Sequence, residues 1–389
     1  MSVAVTPAAP DFPREEFEQR YERARNLMAR DNFDALFVTA PMNYIYLTGH
    51  RSDQITDQKI RPFVFLLPLD GDPLCFVAEF ETKNLLRTTW LGERARTFGL
   101  FKHNEVIADG LREAGLEDGR IGCELGREQH LGMSFLDFLE LQAQLPGARF
   151  DDASLAVLTT RATKSTLEID RIREAARVTA EGIAQVLPDL AVGMTDVEIR
   201  RRVRLAILAL GAEQVPSVHV TIGRDFVAEP TGRGEIRSGD TVTIDTSAEF
   251  EGYMSDVTRT AVVGDATDAQ REMYAYSIEL NHVCYGAFRP GATCADVNIA
   301  AQEELARSGR AGRKSVGRIG HGVGVDYLEY PSLAATEDVV LEKGMVFACN
   351  PNFMTDYGFF NIEENLVITA DGHEILSNPM APRELQEIG

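Results

Sequence analysis

Two aspartates carry the strongest chemical signal in this sequence. Asp245 lies in the run Thr241-Val242-Thr243-Ile244-Asp245-Thr246-Ser247. In an extended strand Thr241, Thr243, Asp245 and Ser247 share one face, and Val242 and Ile244 take the other. Asp256 follows a turn region, residues 248–252, within Tyr253-Met254-Ser255-Asp256-Val257-Thr258-Arg259-Thr260. A regular hairpin centred between Phe250 and Glu251 predicts Asp245 directly opposite Asp256, with Cβ atoms roughly 4.5–5.5 Å apart. Like charges so placed repel unless a cation lies between them, although a solvated edge hairpin fits the same spacing. A second hairpin repeats the design. Gly344-Met345-Val346-Phe347-Ala348-Cys349-Asn350 leads through a loop to Phe359-Phe360-Asn361-Ile362-Glu363-Glu364. Asn361, Glu363 and Asn365 share a face, with Asn350 near Glu363, while Glu364 falls on the apolar side and reads as support or a bulge. Gly320-His321-Gly322-Val323-Gly324 adds a histidine where backbone can approach a ligand closely. A structural turn histidine is the alternative, and the Lys-Ser/Thr of a phosphate loop is missing. Two Asp, one Glu and one His make an oxygen-rich, hard site that suits Mn, Co, Fe or Zn better than a thiolate-preferring metal.

Those strands need a scaffold, and the hydrophobic pattern supplies two. In the first part, residues 14–31 form an amphipathic helix with Phe17, Tyr21, Ala24 and Leu27 on one face. A buried strand, Ala35-Leu36-Phe37-Val38-Thr39, is closed by Pro41. Residues 62–67 and 74–78 flank Asp70-Gly71-Asp72, a hairpin signal, and residues 120–125 give another strand. These elements predict a small α/β domain over residues 1–158. The pattern changes near Thr163-Lys164-Ser165, after which residues 159–389 form the second domain. It has a long helix over 165–189 and a helix opened by the capping box Thr195-Asp196-Val197-Glu198. Strands follow at 217–222, 241–247 and 253–263, then helices near 268–287 and 294–307, then strands at 344–350 and 358–369. Two helices followed by a hairpin thus occur twice, which suggests an internal pseudo-repeat.

Composition narrows the function classes. The 389 residues hold 39 Lys and Arg against 60 Asp and Glu, a net charge of −21. That balance disfavours nucleic acid and anionic membranes as partners, because both are bound through Lys and Arg. The five cysteines are scattered and lack CxxC spacing, which fits a reducing cytoplasm. The N-terminal residues lack the basic and apolar regions of a signal peptide, and no apolar run approaches the ~18 residues of a membrane span. The expectation is a cytoplasmic protein that acts on a small molecule.

Taken together, these motifs resemble the creatinase/prolidase/methionine-aminopeptidase family. Ala40-Pro41-Met42-Asn43-Tyr44-Ile45-Tyr46-Leu47-Thr48-Gly49 is similar to the family's N-terminal domain, and Lys164-Ser165 with Glu168 to its domain junction. Asp245, Asp256-Val257-Thr258-Arg259-Thr260, Gly320-His321-Gly322 and Ile362-Glu363 are similar to its metal-binding core. The resemblance implies an α+β architecture, a pita-bread catalytic domain preceded by the smaller α/β creatinase-like domain. It also implies a homodimer in which one subunit's N-terminal domain helps wall the other's pocket. In metal-dependent members the positions matching Asp245, Asp256, His321 and Glu363 ligate a pair of divalent ions, which activate water for attack on an amide carbon.

The departures from the family pattern bear on mechanism. Asn350 stands where the family usually carries a Glu that is both ligand and general base, and an amide offers only a neutral oxygen. Leu328 replaces the family's second histidine, and a third is absent near Glu229-Pro230. Asn361 replaces an Arg. Three carboxylates in place of four leave a two-ion site one unit positive, so one or two ions, or none, remain open. His219 shares a strand face with Ser217 and Thr221 and is the remaining candidate for proton transfer, with a hydrogen-bonded structural role as the alternative. His50, His103, His130, His282 and His373 read as surface or core residues. Cys349 alternates away from Asn350, which argues against a catalytic thiol. Glu363, His219 and Asn350 are thus the expected catalytic residues. The leading expectation is a metal-dependent hydrolase cleaving a C–N bond in a small polar substrate. The alternatives are an Xaa-Pro dipeptidase or aminopeptidase, and a metal-free or inactive binding member of the family. Retention of the carboxylate cluster argues against the inactive reading.

Overall fold

A computed structural model describes residues 12–58, 61–224, 230–309 and 318–389. The chain divides into two compact units, Met1–Arg161 and Ala162–Gly389.

In the first unit the chain runs α1 (Arg14–Asp31), β1 (Ala35–Val38), α2 (Pro41–Thr48), β2 (Val64–Pro68), β3 (Leu74–Ala78), α3 (Thr82–Thr88), β4 (Ala95–Phe98), α4 (His103–Glu113), β5 (Arg120–Cys123), α5 (Phe135–Gln144), β6 (Arg149–Asp152) and α6 (Ser154–Ala162). The strands form one mixed sheet in the order β4-β3-β2-β1-β5-β6. The hairpin expected around Asp70-Gly71-Asp72 is the antiparallel β2–β3 pair. Central β1 is buried along its whole length, as a continuous apolar run requires when both faces are covered. Pro41 closes β1 and also opens α2 at its first turn, where its missing N–H costs nothing.

The second unit contains α7 (Thr166–Val186), α8 (Asp196–Ala209), β7 (Gln214–Ile222), β8 (Thr241–Phe250), β9 (Tyr253–Met254), β10 (Val257–Val263), α9 (Asp268–Ala287), α10 (Cys294–Arg307), β11 (Gly320–Gly322), β12 (Glu329–Ser332), β13 (Val346–Cys349), β14 (Asn352–Thr355), β15 (Gly358–Asn361), β16 (Glu364–Ile368), β17 (His373–Ile375) and β18 (Gln386–Ile388). Capping boxes open α7, α8, α9 and α10, each with a Ser or Thr at the N-cap. The predicted pseudo-repeat is present. The helix pair α7–α8 buries Ile172, Ile183, Ile199 and Val203, and its cluster continues into Val218, Val242 and Ile244 of the sheet β18-β10-β8-β7. The pair α9–α10 packs Met273, Leu280 and Val297 with Phe347 and Leu366 of the sheet β12-β11-β13-β16-β17.

Two details of register differ from the sequence reading. The first hairpin turns on Glu251 and Gly252, both with positive φ (45° and 78°), rather than one residue earlier. Two left-handed residues make a turn whose twist matches its strands. The shift moves every cross-strand partner by two, so Asp245 faces Thr258 and not Asp256. In the second hairpin the connection from β13 to β16 is not a plain loop, since β14 and β15 form a hairpin of their own within it. The expected strand over 358–369 breaks at residues 362–363 as the chain passes from β15 to β16.

Candidate metal centre

The break at residues 362–363 is where the two halves of the unit meet. Glu363 forms an antiparallel bridge to Thr258, and Asn361 O accepts from Thr260 Oγ1 at 2.8 Å. Arg259 secures the junction. Its guanidinium donates to Thr258 O (2.9 Å), Glu363 O (3.0 Å) and Pro379 O (2.7 Å), and pairs with Glu364 at 2.9 Å. Glu364, expected as support on the apolar side, is the buried anion that holds this arginine. Asn365 clamps both backbone polar groups of Asp256: Asp256 N donates to Oδ1 (3.0 Å) and Asn365 Nδ2 donates to Asp256 O (2.8 Å).

These contacts bring Asp256, His321 and Glu363 together, all buried, with one ligand atom of each within 4.8 Å of the others. His321 Nδ1 lies 3.1 Å from Gly322 O, which assigns the ring proton to Nδ1 and leaves Nε2 as a bare lone pair. Nε2 is 3.5 Å from Asp256 and 3.9 Å from Glu363. Thr258 Oγ1 donates to Glu363 Oε2 at 2.7 Å, whereas Glu363 Oε1 is buried with no hydrogen-bond partner. Among the described residues no Lys or Arg lies within ion-pair distance of either acid. Burial, then the charges of Glu363 and Asp245, raise the Asp256 carboxyl well above its usual range. Burial pushes Glu363 up to about 8, with Asp245 adding to the rise and Thr258 and Asn350 opposing it. It also pushes His321 down to about 4. A buried oxygen and a buried imine nitrogen facing one point without partners are the donor set a divalent cation needs.

Asp245 adjoins this group through Asp256 and Thr258, with whose side chains its carboxyl is in hydrogen-bond contact. It sits directly across the β7–β8 ladder from His219, whose Nδ1 lies 4.0 Å from Asp245 Oδ2. Both side chains are nearly one-third exposed, 28% and 30%, and line a cavity of about 330 Å³ with Asp256, His321 and Asn350. Asn350 follows β13, which places it level with Glu363 across the strand pair. Leu328, at the place of the family's second histidine, adds apolar wall with Met354 and Phe359. Glu229, noted for a missing third histidine, lies outside the described residues. Cys349 is buried away from the cavity, and burial raises its thiol well above the ordinary value. Sequence reasoning missed Arg318, which lines the cavity and donates to Ser332 Oγ at 3.0 Å. Its position three residues before His321 was the available signal.

The comparisons agree with this geometry. Residues 20–163 match the creatinase/prolidase N-terminal domain and residues 170–370 match metallopeptidase family M24. The chain is 24% identical to the "Uncharacterized peptidase YqhT" of Bacillus subtilis (strain 168) over 374 residues, 94% of this chain and 99% of that protein. Among solved structures it is similar to dipeptidase PepE from Mycobacterium ulcerans, with a TM-score of 0.84 and 25% identity, covering 97% of this chain and 99% of that one. The Xaa-Pro dipeptidase from Bacillus anthracis shares the fold, with a TM-score of 0.83 and 21% identity, covering 96% and 100%. With its α/β N-terminal domain and its pita-bread second domain, the chain belongs to metallopeptidase family M24, metal-dependent hydrolases of the prolidase/creatinase type.

Proposed function

We propose that this chain is a metal-dependent hydrolase that cleaves a C–N bond in a small polar substrate, at a site altered from the dipeptidase pattern. The observation that carries the reading is the unpartnered Oε1 of buried Glu363 facing the bare Nε2 of His321. Asp256, His321 and Glu363 would hold the ion, one of Mn, Co, Fe or Zn by donor type. A bound ion supplies Lewis acidity for the scissile carbonyl and lowers the pKa of a coordinated water.

The protein's own groups do the rest. Thr258 fixes one oxygen of Glu363 and leaves the other aimed at the centre. Asn350 presents a neutral amide where the family usually has a carboxylate, so it can orient a water or a substrate N–H but cannot take its proton at neutral pH. His219, at the cavity wall and 30% exposed, is the group placed to return a proton to the departing nitrogen. The guanidinium of Arg318 offers an anchor for an anionic end of the substrate, and Leu328, Met354 and Phe359 an apolar flank.

The fold neighbours favour a second reading, an Xaa-Pro dipeptidase that tolerates Asn350. One panel separates the two. Chelated enzyme is refilled with Mn²⁺ or Co²⁺ and offered X-Pro dipeptides beside small acylated, ureido and guanidino amides. The proposal expects turnover of a non-peptide amide, absent in the chelated enzyme. Cleavage of X-Pro dipeptides alone establishes the second reading, and full turnover without metal removes both. The free, buried cysteines support a reducing, cytoplasmic setting. The family supports a homodimer, which light scattering on the full chain would test.

A further inference from the structure

The proposed function leaves the substrate class open, and two side chains on the cavity wall narrow it. Asn361 is 3% exposed and lines the cavity, and its Oδ1 is buried without a hydrogen-bond partner. A neighbour fixes which way the amide points. Thr258 Oγ1 gives its proton to Glu363 Oε2 at 2.7 Å, so it can only accept from Asn361, and the amide atom 3.4 Å away is Nδ2. The backbone of Asn361 is held as well: its N–H donates to Thr260 Oγ1 (3.3 Å) and its carbonyl accepts from the same hydroxyl (2.8 Å). What remains is a fixed acceptor with nothing donating to it. Buried acceptors of that kind are rare in folded proteins, because desolvating one without a partner is costly.

Arg318 is the second side chain. Among the described residues its guanidinium donates only to Ser332 Oγ at 3.0 Å, and no carboxylate pairs with it. An arginine keeps its charge at any working pH, so its remaining N–H groups suit an anion. The two residues lie on linked stretches of the lining. Asn350 N donates to Ile319 O, next to Arg318, at 2.9 Å, and Asn352 is level with Asn361 across β14–β15. At about 330 Å³ the cavity is at the small end for a ligand site, with Leu328, Met354 and Phe359 as apolar wall.

We infer that the substrate is an N-acylated amino acid with a secondary amide, in which Arg318 binds the carboxylate and Asn361 Oδ1 accepts the amide N–H and so sets specificity. The inference rests on the reading above only in placing the substrate in this cavity. It sets secondary amides apart from X-Pro bonds, whose nitrogen carries no hydrogen and would leave the acceptor unpaired.

Three matched probes test this. N-acetylglycine carries both groups; 4-oxopentanoate replaces its N–H with CH₂; N-acetylglycinamide replaces its carboxylate with a neutral amide. Binding is read by calorimetry on the chelated full chain and again after refilling with Mn²⁺. N-acetylglycine should bind more tightly than either analogue by about tenfold or more, because each analogue leaves one buried partner unmatched. Asn361→Leu should bring the first difference within about threefold, and Arg318→Met the second, with Arg318→Lys restoring part of it. Equal binding of N-acetylglycine and 4-oxopentanoate, as when a water fills the acceptor instead, overturns the inference, and so does binding of none of the three. The expected preference with no amide turned over by the refilled enzyme supports the inference and sinks the hydrolase reading alone. The probe comparison needs no variant, so a poorly folded substitution cannot hide the answer.

Discussion

Glu124 in the first unit and Glu363 in the second are both buried, at 1% and 0% exposure, and both have carboxyls that burial raises. Their oxygens are treated in opposite ways. Glu124 Oε2 accepts from Thr39 N (2.7 Å), Ala40 N (2.8 Å) and Thr39 Oγ1 (3.2 Å), and Oε1 accepts from Asn43 Nδ2 (2.6 Å). Every lone pair of consequence is used, and the residue ties β5 to the start of α2. Glu363 keeps one oxygen satisfied and the other vacant toward His321. Burial alone therefore does not mark a functional acid. Incomplete satisfaction does, because a fold has no reason to desolvate a carboxylate oxygen unless something else binds it.

Glu363 is the residue whose change should have the largest effect. Glu363→Gln should lower turnover of whatever substrate the panel identifies by about 10³-fold or more, the scale of losing a group that acts on the reacting atoms. In chelated enzyme the same change should move unfolding free energy by less than about 1 kcal/mol, since the amide has the same shape and its oxygen can keep the hydrogen bond from Thr258. Denaturant titration beside steady-state kinetics checks both, and a large stability loss with turnover intact would make Glu363 structural. Glu124→Ala should do the reverse. It strands the Thr39 and Ala40 amides, at about 1–3 kcal/mol for each buried group left unpaired, so a loss of about 2–5 kcal/mol is expected in urea unfolding. Metal content per folded chain should not change.

A smaller effect is expected at a third buried ionisable group. His50 is fully buried in the first unit, with Nδ1 2.9 Å from Thr88 Oγ1 and Nε2 3.4 Å from Glu81, and burial pushes its pKa from 6.5 down to about 4. The unfolded chain then binds the proton that the folded chain refuses. Stability is therefore full above pH 6.5 and falls as pH drops toward 4, by about 3 kcal/mol. Urea unfolding at stepped pH should show this slope, and His50→Gln should flatten it. An unchanged slope would assign the acid sensitivity elsewhere.

How much of this was legible in the sequence depended on the range of the interactions. Alternation placed Asp245, Ser217 and His219 on shared faces, and the helix N-termini were announced by cap residues, because both signals lie within a few residues. Asn350 level with Glu363 also followed from local strand period. The Asp245–Asp256 register failed because it depended on which two residues took positive φ. Glu251 is not a residue that advertises a left-handed conformation, so the turn was placed one step early. The arginine and asparagine that assemble the centre were beyond reach. Arg259 meets Glu364 across 105 positions and Asn365 meets Asp256 across 109, and no periodicity encodes such a pairing. Arg318 and the β14–β15 insertion were missed for the same reason.

The bridge between Thr258 and Glu363 has a consequence for assembly. Asp256 comes from one helix-and-sheet half of the second unit, and His321 and Glu363 from the other, so neither half alone carries a complete chelate. Slippage of one residue at that seam would turn Glu363 to the opposite side of its strand. Cation affinity thus becomes a molecular gauge of mating between the halves: a folding intermediate with both halves formed but undocked would be blind to the ion, and the first appearance of tight uptake would timestamp the docking step.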